Sequence, residues 1–320
     1  MSEPKGRGVA WTEEPVSGDE GRQHLAAPRR RANEKRQRAN GIPALLVLTG
    51  VICVQLGAGI ADKMFGTVPP AAVTLLRLWF AALVLALVGG RGAARAATAV
   101  IRQRRWRDGA VAVAFGLALG VMNFAIYQAF ARIPLGVAVT IEFLGPLAVS
   151  VASSRHKRDL VWVVLGASGV VLLTGGVGRR LDLTGVLFAL LAGLCWALYI
   201  LLSRASGQRF SGPTGLVLAM AVAAVVVTPA GLLSAPAGRI FRPGVLAEGA
   251  AIGVLSSVVP YWLELEVLRR IPARVFGVWM SLEPAVAALI GLILLSQRLN
   301  LLEWVAIGCV IVACAGAASR

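Results

Sequence analysis

Ten apolar stretches, each close to the ~20 residues that a membrane-spanning helix needs, constrain this chain more than any other feature. They run over 43–61, 70–90, 109–131, 134–153, 160–176, 184–203, 212–234, 245–268, 272–295 and 302–319. A spanning strand is about half that length, and only helices and closed barrels satisfy their backbone inside lipid, so helices are the expected solution. Composition agrees. Of 320 residues 57% are apolar and 15% charged, and mean hydropathy is +0.75. A soluble domain carries about 25% charged residues. The chain therefore reads as an all-α integral membrane protein with ten transmembrane helices.

A net charge of +16 would suit a nucleic-acid binder, but the basic residues gather in the short connections between apolar runs. That is the pattern of membrane topology, and no nucleic-acid partner is expected. With the tail placed in the cytoplasm, its basic cluster and the connections put 21 Lys and Arg on the inner side against 7 on the outer. Both termini are thus expected to be cytoplasmic, in a bacterial plasma membrane. Residues 1–41 are polar and rich in Gly, Pro and Arg, and end in the cluster Arg29, Arg30, Arg31, Lys35, Arg36 and Arg38. They read as a disordered cytoplasmic tail with no apolar core of a cleavable signal. The cysteines, Cys53, Cys195, Cys309 and Cys314, lie inside apolar runs without CxxC spacing, and His24 and His156 lie outside them. No metal, no cofactor and no disulfide framework is expected. Nor does a nucleotide loop or a nucleophile–base constellation argue for an enzyme.

The chain also repeats itself. Arg132-Ile133-Pro134 returns as Arg270-Ile271-Pro272, and Leu144-Gly145-Pro146 as Leu282-Glu283-Pro284, both at an offset of 138. Trp162-Val163-Val164-Leu165-Gly166 resembles Trp304-Val305-Ala306-Ile307-Gly308 at an offset of 142. The halves are 42–180 and 181–320, with five helices each. An odd number of spans makes the second half enter from the opposite side, giving two inverted five-helix repeats. That architecture recurs in secondary transporters, with the site near the midplane between the repeats.

Two acids lie at that depth. Glu142 is about 12 Å from the outer face and Glu283 about 16 Å from the inner one, in a hydrocarbon core of about 30 Å. A carboxylate there is costly by at least a few kcal/mol and marks a functional interior, or a neutral acid hydrogen-bonded between helices. Pro146 and Pro284 each remove a helix donor, freeing the carbonyls of Glu142 and Met280. The prolines superpose in the repeat while the acids do not: Glu142 aligns with Met280, and Glu283 with Gly145. Arg77, about 10 Å into the second span, either answers one of these acids or a substrate carboxylate, or snorkels to the interface. Asn123 and Tyr127 share a helix face and could bond a polar solute. Trp196, Tyr199 and Trp279 are candidates for a cavity wall, or packing. Glu264 and Glu266, ahead of Arg269 and Arg270, read as a solvated ion-pair cluster.

Arg77-Leu78-Trp79-Phe80-Ala81-Ala82-Leu83 resembles the Arg-Phe-x-x-Ala run in the second helix of EamA-type members of the drug/metabolite transporter superfamily. Glu283-Pro284-Ala285-Val286-Ala287-Ala288 resembles the Glu-Pro motif of their ninth helix, and residues 294–300 resemble a Gly-Glu-Arg-Leu-Thr segment in which Gln297 replaces the usual Glu. Glu142 to Val149 and Ser153-Ser154-Arg155 are most similar to the threonine/homoserine exporters of that superfamily. The likeness spans roughly 43–319. It implies a secondary transporter exporting amino acids or related small polar metabolites by alternating access. Its partners would be a small-molecule solute, the lipid bilayer and protons, and a homodimer is compatible with it. Glu142, Glu283, Arg77, Asn123, Tyr127, Trp279 and Tyr199 are the expected solute- or proton-binding residues, with Pro146 and Pro284 as helix-breaking scaffold. The competing readings are a flippase or accessory subunit for lipid-linked sugars, and efflux of drugs or another metabolite.

Overall fold

The computed structural model describes residues 20–102, 106–154, 159–175 and 181–319. The side chains of the tail cluster from Arg29 to Arg38, and Arg104, Arg105, Arg155, Lys157, Arg158, Arg179, Arg180 and Arg320, lie outside what is described. The chain forms two compact units, Met1–Ala44 and Leu45–Arg320. In the first, the backbone is helical from Glu20, inside the stretch expected to be a tail.

The regular structure among the second unit's described residues is helical. The helices in chain order are α1 (Glu20–Met64, membrane-length over Ile42–Met64), α2 (Pro70–Arg102), α3 (Trp106–Phe130), α4 (Leu135–Glu142), α5 (Leu144–Ala152), α6 (Leu160–Gly175) and α7 (Leu183–Gly207). There follow α8 (Thr214–Leu233), the short α9 (Ala237–Ile240), α10 (Pro243–Gly253), α11 (Val259–Leu268), α12 (Ala273–Met280), α13 (Glu283–Leu295) and α14 (Leu301–Ala318). Among the described residues nine helical spans are long and apolar enough to cross a bilayer, and Leu160–Leu173 in α6 is a shorter apolar tenth. The second span runs on to Arg102, beyond its expected end at residue 90. Ala93 to Ala97 continue with strong helix formers and nothing stops the helix there.

Local chemistry sets several ends. Asp182 caps α7 by accepting from the Thr184 N–H at 2.8 Å. Asn300 and Glu303 form a reciprocal capping box at the start of α14, with bonds of 2.8 and 2.7 Å. Ser296, at φ 56°, closes α13 in the left-handed region, and the Gln297 N–H returns to the Gly291 carbonyl at 3.0 Å.

Equivalent spans of the two halves pack on each other: α2 on α8, α6 on α14, and α4 on α13. α3 lies on α7, and its counterpart brings α1 to the eighth span, where a methyl at Gly57 would meet Leu255 and Ser256. Buried positions are dominated by small residues, including Ala61, Ala72, Ala81, Ala125, Ala129, Ala138, Ala189 and Ala223. Large apolar side chains such as Leu87, Val171, Leu233 and Ile293 face outward. Lipid covers these, while close approach of small-residue surfaces holds helices together where burial from water gives no drive.

The proline-marked spans are interrupted at the proline turn, although Phe143, Ser281 and Leu282 at the interruptions keep right-handed helical dihedrals. The fourth divides between Glu142 and Leu144, and the ninth between Met280 and Glu283, at the same repeat position. Pro146 and Pro284 therefore sit in the first turn of α5 and α13, where a missing N–H costs no helix bond. Neighbours enforce the break in the fourth span. A Cβ on Gly193 of α7 would stand 2.8 Å from the Glu142 carbonyl, and one on Gly145 would collide with the Gly193 backbone. Both positions need glycine because backbone lies directly against backbone.

Candidate transport cavity

The two pieces of each broken span behave differently. The outer pieces α4 and α13 pack tightly: a methyl on Gly136 would lie 2.7 Å from Ala288, and Gln297 Oε1 accepts from the Leu135 N–H at 2.9 Å. The inner pieces turn to other neighbours, α5 to α6, α7 and α14, and α12 to α14. Between them opens a cavity of about 1190 Å3. It reaches from Gln55, Arg77, Glu142 and Glu283 at the breaks to Ser153, Ser154, Asp159, Arg204 and Arg274 at the ends assigned to the cytoplasm. Among the described residues, the cavity therefore extends to the cytoplasmic ends and is closed by α4 against α13 on the outer side.

Glu142 and Glu283 are both buried and both line this cavity. Glu142 is the last residue of α4 and Glu283 the first of α13, so the breaks themselves present them. Gln55, from the middle of α1, donates through Nε2 to Glu283 Oε1 at 2.8 Å. Arg77 of α2 crosses to the eighth span and donates through Nη2 to the Ser256 carbonyl at 3.2 Å. That carbonyl is offered by a π-helical turn over Val254–Val258, which disturbs the regular ladder beside the cavity. The guanidinium also stands over the Tyr127 ring, 5.2 Å from its centroid.

Four lining residues around Glu283 keep polar valence unused. Among the described residues, Gln55 Oε1, Arg77 Nε, Ser256 Oγ and Glu283 Oε2 are buried with no hydrogen-bond partner. Two are acceptors, one is a donor and one is both. Unpartnered buried groups each carry a desolvation cost of about 1–3 kcal/mol, which a ligand with matching groups removes.

Of the residues expected from sequence to form a site, Glu142, Glu283, Arg77, Asn123 and Tyr199 share the cavity. Asn123 spends one amide hydrogen on the Leu119 carbonyl at 2.8 Å, and Tyr199 stacks on Phe115 at 5.2 Å. Trp196 lines the wall edge-on to Phe143, 4.8 Å away. Two others stand elsewhere. Tyr127 is fully buried behind Arg77, between Phe65 and Phe130, and Trp279 packs with Val47, Val51 and Val267. One helical position separates Trp279 from Met280, which does line the cavity, and about 100° of rotation turns the ring away.

Sequence reading missed Gln55 and Ser256, and it grouped Glu264 with Glu266. Glu266 holds Arg269 and Arg270, whereas Glu264 lines the cavity. A signal existed: Ser256, Pro260 and Glu264 recur every four residues on one face of the eighth span.

Comparison with known proteins agrees with this architecture. Residues 183–319 match the EamA-like transporter family. The chain is 37% identical over 278 residues to the threonine/homoserine exporter RhtA of Escherichia coli, covering 86% of this chain and 90% of that one. The exporter of the same name from Salmonella typhimurium shows the same identity and coverage. A solved crystal structure, 20% identical, superposes with a TM-score of 0.57 over 87% of this chain and 96% of its own, which shows the fold. A multi-pass helical membrane protein with a broken-helix cavity and this relationship belongs to the EamA-like transporter family.

Proposed function

We propose that this protein exports small zwitterionic amino acids of the threonine and homoserine kind by alternating access. The observation that carries the reading is the set of four unpartnered polar atoms around Glu283, of both hydrogen-bonding senses, in a cavity facing the cytoplasm. A zwitterion supplies both complements. Its ammonium donates to Glu283 Oε2 and Gln55 Oε1, its carboxylate accepts from Arg77 Nε, and a side-chain hydroxyl pairs with Ser256. The exporters named for threonine and homoserine, 37% identical to this chain, support the same substrate class.

Two carboxylates and one guanidinium line the deep end. Once the ammonium departs outward, a proton taken up from outside neutralises Glu283 or Glu142 and returns with it, so one amino acid leaves as one proton enters. The opposite state follows from the repeat: α5 and α12 close while α4 and α13 part.

The test is threonine export from loaded proteoliposomes. Glu283→Gln is expected to lower export more than roughly tenfold, the scale of losing a buried charged partner. Glu142→Gln is expected to abolish the acceleration caused by an acidic exterior. Export unchanged in both variants, singly and together, rules out the carboxylate mechanism. A flippase for lipid-linked sugars would move no free threonine at all.

A further inference from the structure

The cytoplasmic mouth of the cavity carries charges of both signs, Asp159, Arg204, Glu264 and Arg274. Ser256, Pro260 and Glu264 line the cavity along one face of the eighth span, so Glu264 stands about 12 Å nearer the cytoplasm than Ser256. The chain then reverses in a tight turn, in which the N–H groups of Arg270 and Ile271 both return to the Val267 carbonyl, at 2.8 and 3.0 Å. After the turn Arg274, in the first turn of α12, lines the same cavity. The turn thus sets an acid and a base on adjacent walls of the mouth. Glu266, two positions on from Glu264, faces away and holds Arg269 and Arg270, so the surface ion cluster does not absorb Glu264.

The deep end also combines acids and a base, Glu142 and Glu283 with Arg77. From this juxtaposition we infer that Glu264 and Arg274 form a loading subsite, where a cytoplasmic zwitterionic amino acid is held before it moves inward to Glu283. The inference rests on the amino-acid reading of the deep site and adds a second station for the same solute. Arg274 is exposed and Glu264 half-buried, whereas Glu283 is buried. Water and salt screen charges at the mouth, so the subsite holds the solute only weakly and briefly. Glu264 accepts from the ammonium and Arg274 donates to the carboxylate, in the orientation that the deep pair then receives.

Inside-out vesicles present this mouth to the medium, and uptake of labelled threonine across a concentration series reads the subsite. Glu264→Gln and Arg274→Gln should each raise the half-saturating concentration roughly two- to fivefold, the scale of an exposed charge contact, with the maximal rate kept. The difference from the unsubstituted protein should shrink in high salt. The exchange variant, Glu264→Arg with Arg274→Glu, should regain at least part of the loss, which a folding defect would not. An unchanged half-saturating concentration in both single variants overturns the inference. So does a reduced maximal rate at an unchanged half-saturating concentration, which would put Glu264 in the transport cycle itself. If the unsubstituted protein moves no threonine, the deep-site reading falls first and the loading subsite with it.

Discussion

Single residues around Glu283 divide into those with unused valence toward the cavity and those that only support. Tyr127 is the sharpest case, because its ring backs Arg77 while its buried hydroxyl has no hydrogen-bond partner among the described residues. Tyr127→Phe is therefore expected to leave export near its original level and to keep or slightly raise the melting temperature, since no bond is lost. Tyr127→Ala removes the ring and should lower export by freeing the guanidinium. Equal loss in both variants would assign the hydroxyl to the solute. Arg77→Lys should not restore Arg77→Gln, because an ammonium cannot both lie over the ring and reach the Ser256 carbonyl with a planar fork. The burial of Glu142 and Glu283 was legible from their places inside long apolar runs. Gln55 was not: a lone amide in an apolar run has no meaning until Glu283 is seen opposite it, 228 residues away in sequence.

At the scale of elements, the broken spans govern access. Gly145 and Gly193 let α5 and α7 touch through their backbones. Gly145→Ala should cost on the order of 1–3 kcal/mol by overpacking, read as a lower melting temperature in detergent. Gly308→Ala, with open space around it, should be neutral by the same measurement. The outer seal rests on Gly136 against Ala288 and on the bond from Leu135 to Gln297. Gln297→Ala leaves the Leu135 N–H without that acceptor and should shift the population toward the outward-open form. In a background lacking the native cysteines, a thiol placed at Val139, on the cavity wall, should then react faster with an impermeant reagent added outside. An unchanged rate would show that Gln297 is no part of the seal. The prolines marked these positions in the sequence. Only the assembled repeat shows each one in the first turn of a new helix, where its missing donor is harmless.

For the molecule as a whole, ten apolar lengths and the offset of 138 were enough to expect two inverted five-helix halves, and equivalent spans do pair. Which face of each helix meets the cavity was less legible. Lipid-facing and interior-facing residues are almost equally apolar here, so periodicity carries little contrast. That is why Trp279 was expected on the wall occupied by Met280, and why Glu264 was grouped with Glu266. The same mixture of small buried and large exposed apolar residues leaves the cavity's few polar groups as the determinants of what it binds.

The central claim is that a zwitterion occupies the cytoplasm-facing cavity between Arg77 and Glu283. The most direct measurement is protection of the thiol of Val139→Cys, in the background lacking the native cysteines, from an impermeant reagent added at the cytoplasmic face. Threonine should slow the labelling, and threonine derivatives lacking either the ammonium or the carboxylate should not. Glu283→Gln should remove the protection while leaving the unprotected rate unchanged. Labelling that is equally fast with and without threonine, or protection that survives in Glu283→Gln, would contradict the account.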